Sequence, residues 1–77
     1  MRAKLVIESV TLREGAQEQL KFRGVCAKSY PPDGTDEDNT FAKFSPSVSL
    51  EITITNPTLH GQFKPGQKFY CDFTETI

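Results

Sequence analysis

From Val48 to Asn56 apolar and polar residues alternate strictly. Val48, Leu50, Ile52 and Ile54 fall on one parity, Ser49, Glu51, Thr53 and Thr55 on the other, and Pro57 closes the run. Successive side chains of an extended chain point to opposite faces, so this stretch predicts a strand with one dry and one wet face. Shorter alternations predict strands over 3–12, 18–28, 41–44 and 69–74. Gly15 marks the turn between the first two. Pairing Leu12 with Leu20 places Val10 beside Phe22 and Val6 beside Cys26 on one face, with Leu5 and Ile7 near Ala27 and Val25 on the other. Nearer the turn, that second face carries Ser9, Thr11, Lys21 and Arg23. The far end of this hairpin is therefore expected to be apolar on both sides and to need a second layer or another subunit.

The connections carry turn chemistry. Tyr30-Pro31-Pro32-Asp33-Gly34 combines two prolines with an Asp-Gly step, and acids recur at Asp36, Glu37 and Asp38, so residues 31–39 read as an exposed acidic loop. Ser45-Pro46-Ser47 turns the chain into the alternating strand. Asn56-Pro57-Thr58-Leu59-His60-Gly61 predicts one helical turn, with Asn56 as its cap, Pro57 at its first position and Gly61 at its end. Lys64-Pro65-Gly66-Gln67 fits a type II turn. The whole predicts a single mainly β domain over 1–77: a small antiparallel five-stranded barrel or sandwich with one short helical turn.

Seventy-seven residues hold only a small core. At roughly 25 cal/mol per Å² buried, against about 1.5 kcal/mol of ordering entropy per residue, the balance lies near zero. Association with further copies of the chain is the expected source of extra stability, because the single histidine and two distant cysteines do not suggest a metal. Cys26 and Cys71 each sit within an apolar alternation and are expected to be buried free thiols rather than a disulfide.

The net charge of −1 argues against general nucleic-acid or membrane-surface binding, which rests on excess Lys and Arg. Met1-Arg2-Ala3-Lys4-Leu5-Val6-Ile7 is basic and then apolar, but Glu8 ends it too early for a signal-peptide core, and no run has the length of a membrane span. The chain reads as a cytosolic protein.

Catalytic chemistry has few carriers. His60 follows a proline-initiated turn without an accompanying nucleophile motif and reads as a polar surface residue, so neither an enzyme nor a cofactor is expected. Asp33, Asp36, Asp38 and Asn39 lack the spacing of a calcium loop, which leaves a solvated charge run or an arm that docks on a basic protein surface. Lys21 and Arg23 beside Ser9 and Thr11 supply the donors a phosphate or nucleotide needs, although a solvated strand face has the same composition. Lys64 and Lys68 flank a turn and form a second, weaker candidate. Of eight aromatics most are needed for the core; Tyr30 and Tyr70 are the rings expected at the surface, where they stack on a base or fill an interface.

Two stretches, Asp36-Glu37-Asp38-Asn39-Thr40-Phe41-Ala42-Lys43-Phe44-Ser45-Pro46-Ser47 and the run from Ile54 to Tyr70, together resemble a group of short accessory proteins encoded by tailed bacteriophages and prophages. The resemblance covers the C-terminal half well and the N-terminal hairpin loosely. Tyr70-Cys71-Asp72-Phe73 departs from it, with a cysteine where an aliphatic is commoner. The resemblance carries no functional residues over. It implies a protein of the host bacterial cytoplasm that acts by binding, often as a symmetric oligomer. Such proteins include blockers of host nucleases and sequesterers of nucleotide immune signals. The expectation is thus a non-enzymatic homo-oligomer that captures a small anionic ligand through Lys21, Arg23, Ser9, Thr11, Tyr70 and Tyr30. The alternatives are a module that inhibits a host protein through residues 31–39, a small virion component or, against the charge balance, a single-stranded DNA binder.

Overall fold

In the computed structural model, which describes residues 1–77, four strands form one antiparallel sheet. β1 (Arg2–Arg13), β2 (Gln17–Gly24), β3 (Ser49–Ile54) and β4 (Lys68–Asp72) lie in the order β3-β2-β1-β4. There is no fifth strand. A barrel would require β3 to meet β4, and they are opposite edges, so the sheet is open. The molecule measures only 16 Å along its shortest axis.

The hairpin turns tightly. Arg13 pairs with Gln17, and Gly15 (φ 78°) and Ala16 (φ 59°) adopt left-handed backbone between them. Leu12 therefore faces Glu18, and Val10 faces Leu20, two residues from the expected register. Beyond Ser9 the alternation breaks. Glu8 is an extra residue in β1, and Ile7 pairs with Phe22 where a regular ladder would have placed Glu8. Such a bulge reverses the parity of everything before it. Ala3, Leu5 and Ile7 consequently join Val10 on the core side, and Val6, expected there, turns to the opposite face.

Ala3, Leu5, Ile7, Leu20, Phe22 and Ile54 form the buried cluster, with Val10, Phe41, Val48, Leu50, Phe63 and Cys71 packed against it. The connection from β3 to β4 runs from one edge of the sheet to the other and covers part of this face. Phe63 and Phe22 meet Phe69 with ring centroids 6.0 and 6.4 Å away. Asn56 caps the 3-10 turn Pro57–Leu59 by accepting from the Thr58 N–H, as the sequence predicts. The Gly61 N–H then donates to Oε2 of buried Glu18. Gly66 (φ 94°) completes the turn after Pro65, and the Gln67 N–H donates to the Lys64 carbonyl.

The long β2–β3 connection holds the largest corrections. β2 stops at Gly24 instead of reaching Lys28, and residues 41–44 form a turn instead of a strand. Phe44 sits at φ 58° with its N–H on the Gly34 carbonyl. Cys26 lies beyond the end of β2 and is exposed, whereas Cys71 is half-buried on the core; both are free thiols. The stretch 31–39 is not simply a solvated loop. Asn39 is fully buried, Gly34 is buried, and Asp36 and Asp38 are half-buried. Asp36 Oδ1 accepts from the N–H groups of Asp38 and Asn39, and Asp33 Oδ1 accepts from the Thr35 N–H and hydroxyl. These local bonds are what short acidic side chains do in turns.

Candidate functional site

The register assigns the face opposite the core. It carries Arg2, Lys4, Val6, Ser9, Thr11 and Arg13 from β1, Gln19, Lys21 and Arg23 from β2, Ser49, Glu51 and Thr53 from β3, and Lys68, Tyr70 and Asp72 from β4. Six of the nine cationic side chains lie here, so the face is basic although the chain is slightly acidic.

Ser9, Thr11 and Lys21 come together as the sequence predicts. With Arg13, Gln19 and Glu51 they line an open groove of about 220 Å³. Ser9 pairs across from Lys21, and Thr11 from Gln19. The sequence reasoning missed Glu51. Its Oε1 lies 3.7 Å from Lys21 Nζ, and its Oε2 accepts from Gln19 Nε2 at 3.1 Å. Gln19 in turn accepts from the Arg13 guanidinium. The groove thus opposes its lysine with a carboxylate.

Arg23 is two residues along β2 on the same face but outside the lining of that groove. Val6 separates it from Lys68, because Val6 pairs with Arg23 on one side and with Lys68 on the other. Neither Arg23 nor Lys68 takes part in an ion pair.

Tyr70 lies further along β4, opposite Lys4. It is not a free stacking platform. The Arg2 guanidinium carbon sits 4.4 Å from its ring centroid, and its hydroxyl donates to Asp38 Oδ1 at 2.6 Å. Asp38 Oδ2 also accepts from Lys4 Nζ at 3.4 Å. Holding the phenol proton against Asp38 raises the Tyr70 pKa above its ordinary value, and the same hydrogen bond, with Lys4 beside it, lowers that of Asp38. Arg2 binds both carboxylate oxygens of Asp72 at 2.8 and 3.3 Å and depresses its pKa. Lys4, Lys68, Phe69 and Tyr70 border a second shallow groove of about 300 Å³.

Tyr30 is separate from all of these. Its ring packs on Phe44 with centroids 5.8 Å apart, and its hydroxyl accepts from the Ala27 N–H at 3.3 Å. Burial of the ring end pushes its phenol pKa up. His60 is half-buried, with Nε2 3.2 Å from the Ile54 carbonyl. No three His, Cys, Asp or Glu side chains are grouped to share a metal ion.

Lys68 was legible only as a turn-flanking charge, because the partner of the last strand is not written in local sequence. Lys4 and Arg13 were concealed by the bulge and the register shift. No family model, curated protein or solved structure matches the chain. No helix is long and apolar enough to cross a membrane.

Proposed function

We propose that the chain is a non-enzymatic binding protein that takes a small phosphate-bearing ligand on the basic face of its sheet and works as an oligomer. The observation that supports this reading is the pair of uncompensated cations, Arg23 and Lys68, on either side of Val6. Ser9 and Thr11 lie nearby with hydroxyls that make no hydrogen bond within the chain, and Lys21 stands against Ser9. A guanidinium gives two parallel donors to a phosphate, an ammonium a point charge, and hydroxyls complete the oxygen shell.

Arg23 and Lys68 belong to strands two places apart, hence about 10 Å between backbones at the usual strand spacing. That span suits a ligand with two phosphates better than one with a single anionic group. Taken with the resemblance to phage accessory proteins, it favours capture of a nucleotide immune signal in the cytoplasm of a bacterial host. The bonds that occupy Asp33, Asp36 and Asp38 within the chain weaken the competing reading of 31–39 as a docking arm.

Isothermal titration with pyrophosphate and with a cyclic dinucleotide tests the reading. Binding that weakens roughly tenfold in Arg23→Ala and in Lys68→Ala, with the circular dichroism unchanged, is the expected result. Wild-type protein that binds neither ligand at low salt refutes it.

A further inference from the structure

We propose that β3 pairs antiparallel with β3 of a second copy about a two-fold axis at Ile52, joining the two sheets into one of eight strands. The inference develops the oligomeric part of the reading above and rests on a different part of the molecule.

The surface is larger than a compact protein of this mass exposes. The chain exposes 5739 Å². A compact protein of its 8.6 kDa exposes about 4,700 Å². An open sheet only 16 Å thick carries that excess, about 1,000 Å², on its two faces and along its edges. The radius of gyration of 14.6 Å agrees, since about 11.5 Å is usual for this length.

The sheet has two edges, and only one is blunted. β4 has five residues, begins with Lys68, and follows the Pro65-Gly66 turn. Edge strands are commonly protected by such short length, charge and proline. β3 pairs with β2 on one side and with nothing on the other. From Ser47 to Asn56 it meets no proline, glycine, lysine or arginine. Its single charge, Glu51, is met by Lys21 and Gln19 of the neighbouring strand, which leaves no repelling cluster along the edge. Ile52 at its centre is 41% exposed beside fully buried Leu20, its partner on β2.

The side-chain pattern selects the register. An axis at Ile52 sets Ile52 against itself, Leu50 against Ile54 and Glu51 against Thr53, so both apolar faces lie on one side. An axis at Glu51 opposes two carboxylates, which is unfavourable. An offset of one residue sets Glu51 against Ile52 and turns one copy's apolar face to the other's polar side. An axis at Thr53 keeps fewer residues of β3 paired. With the axis at Ile52, the partner's Thr53 lies against Glu51, at the rim of the groove formed by Ser9, Thr11 and Lys21. The second copy therefore contributes to that groove.

Sedimentation equilibrium tests the interface. The wild type is expected to be a dimer at micromolar concentration. Thr53→Glu faces the partner's Glu51 twice across the axis and should weaken dimerisation by roughly tenfold or more. Thr53→Lys places an ammonium against the same carboxylate and should leave the dimer intact or tighten it. Both changes fall on an exposed position, so circular dichroism should show both variants folded. A monomeric wild type overturns the proposal, and so does a dimer that ignores Thr53→Glu. A monomer that still binds pyrophosphate overturns the interface alone. A β3-dependent dimer that binds no anion supports the interface and overturns the ligand reading alone.

Discussion

The carboxamide oxygen of Asn39 accepts the backbone N–H of Lys4 at 2.9 Å, taking the place that a strand residue would occupy had β2 continued past Gly24. Its Nδ2 donates to the Val25 carbonyl and to Asp36 Oδ2, at 2.8 and 3.1 Å. One residue further, the Thr40 N–H donates to the Arg2 carbonyl and the Thr40 hydroxyl accepts the Arg2 N–H. Two loop side chains and one loop amide thus complete the hydrogen bonding of the central strand where its neighbour ends. A buried backbone N–H without such a partner is costly.

Asn39→Ala should therefore lower stability by about 2–3 kcal/mol, since it strands the Lys4 N–H and the Val25 carbonyl together. Asn39→Asp should cost more, because it replaces the donor with an oxygen that faces the carboxylate of Asp36. Urea denaturation followed by circular dichroism gives both values. A loss below that of an ordinary surface substitution in both variants contradicts this account.

Gly34 fixes the other end of the same loop. Its φ of 75° favours glycine, and a Cβ there would lie 2.6 Å from Cδ2 and 2.8 Å from Cζ of Phe44. Gly34→Ala should cost about 1 kcal/mol for the backbone alone and more for the displaced ring. The ring part is separable. In a Phe44→Ala background the Gly34→Ala penalty should shrink to its backbone share, and a double-mutant cycle by thermal unfolding reads the difference. Additive penalties would show that Phe44 moves aside freely.

Much of this was legible in local sequence, and what was not shares one cause. The alternation of 48–56, the Asn56 cap and the Pro65-Gly66 turn were all readable because each is a property of neighbouring residues. The bulge at Glu8 was not, since an extra residue becomes visible only against the strand that skips it. One residue therefore exchanged the faces of Val6 and Ile7. Residues 41–44 show the same limit. Phe41 and Phe44 imitate a short strand, but Phe44 is held in left-handed backbone by its bond to the distant Gly34 carbonyl. For the candidate site, Ser9, Thr11 and Lys21 could be read from one hairpin. Lys68, Glu51 and the loss of Tyr70 to Arg2 and Asp38 depended on which strands and loops meet.

The Tyr70–Asp38 hydrogen bond has a spectroscopic signature. Tyr70 should ionise above the ordinary phenol range, and Asp38→Asn should bring it back down while leaving Tyr30, raised chiefly by burial, where it was. Absorbance of tyrosinate against pH distinguishes the two steps. The linkage has two sides. A phenol whose folded pKa is raised contributes stability below pH 10, and that contribution disappears as pH rises through the folded value. Asp33, Asp38 and Asp72 are depressed, so their contribution is complete above their ordinary value near 3.8 and is lost as pH falls through the lower folded values. Stability should accordingly drop in acid below about pH 4, less steeply in Asp38→Asn than in the wild type. An identical acid profile for the two proteins would deny Asp38 this role.

Glu51 opposes Lys21 in the groove, and its removal separates two readings of the basic face. If the face binds an anion, the Glu51 carboxylate competes with that anion for Lys21 and repels it. Glu51→Gln keeps an oxygen for Gln19 Nε2 and removes the charge, so pyrophosphate affinity should rise roughly two- to fivefold, the range of a partly exposed ion pair. The gain should fade with added salt, as screening weakens all of these terms together. Lys21→Ala in the same background should cancel it, since the benefit of removing Glu51 is carried by the lysine it releases. A face that serves only to keep the sheet solvated predicts no change in any of these titrations. Calorimetry on wild type, Glu51→Gln and the double variant at two salt concentrations therefore decides between them.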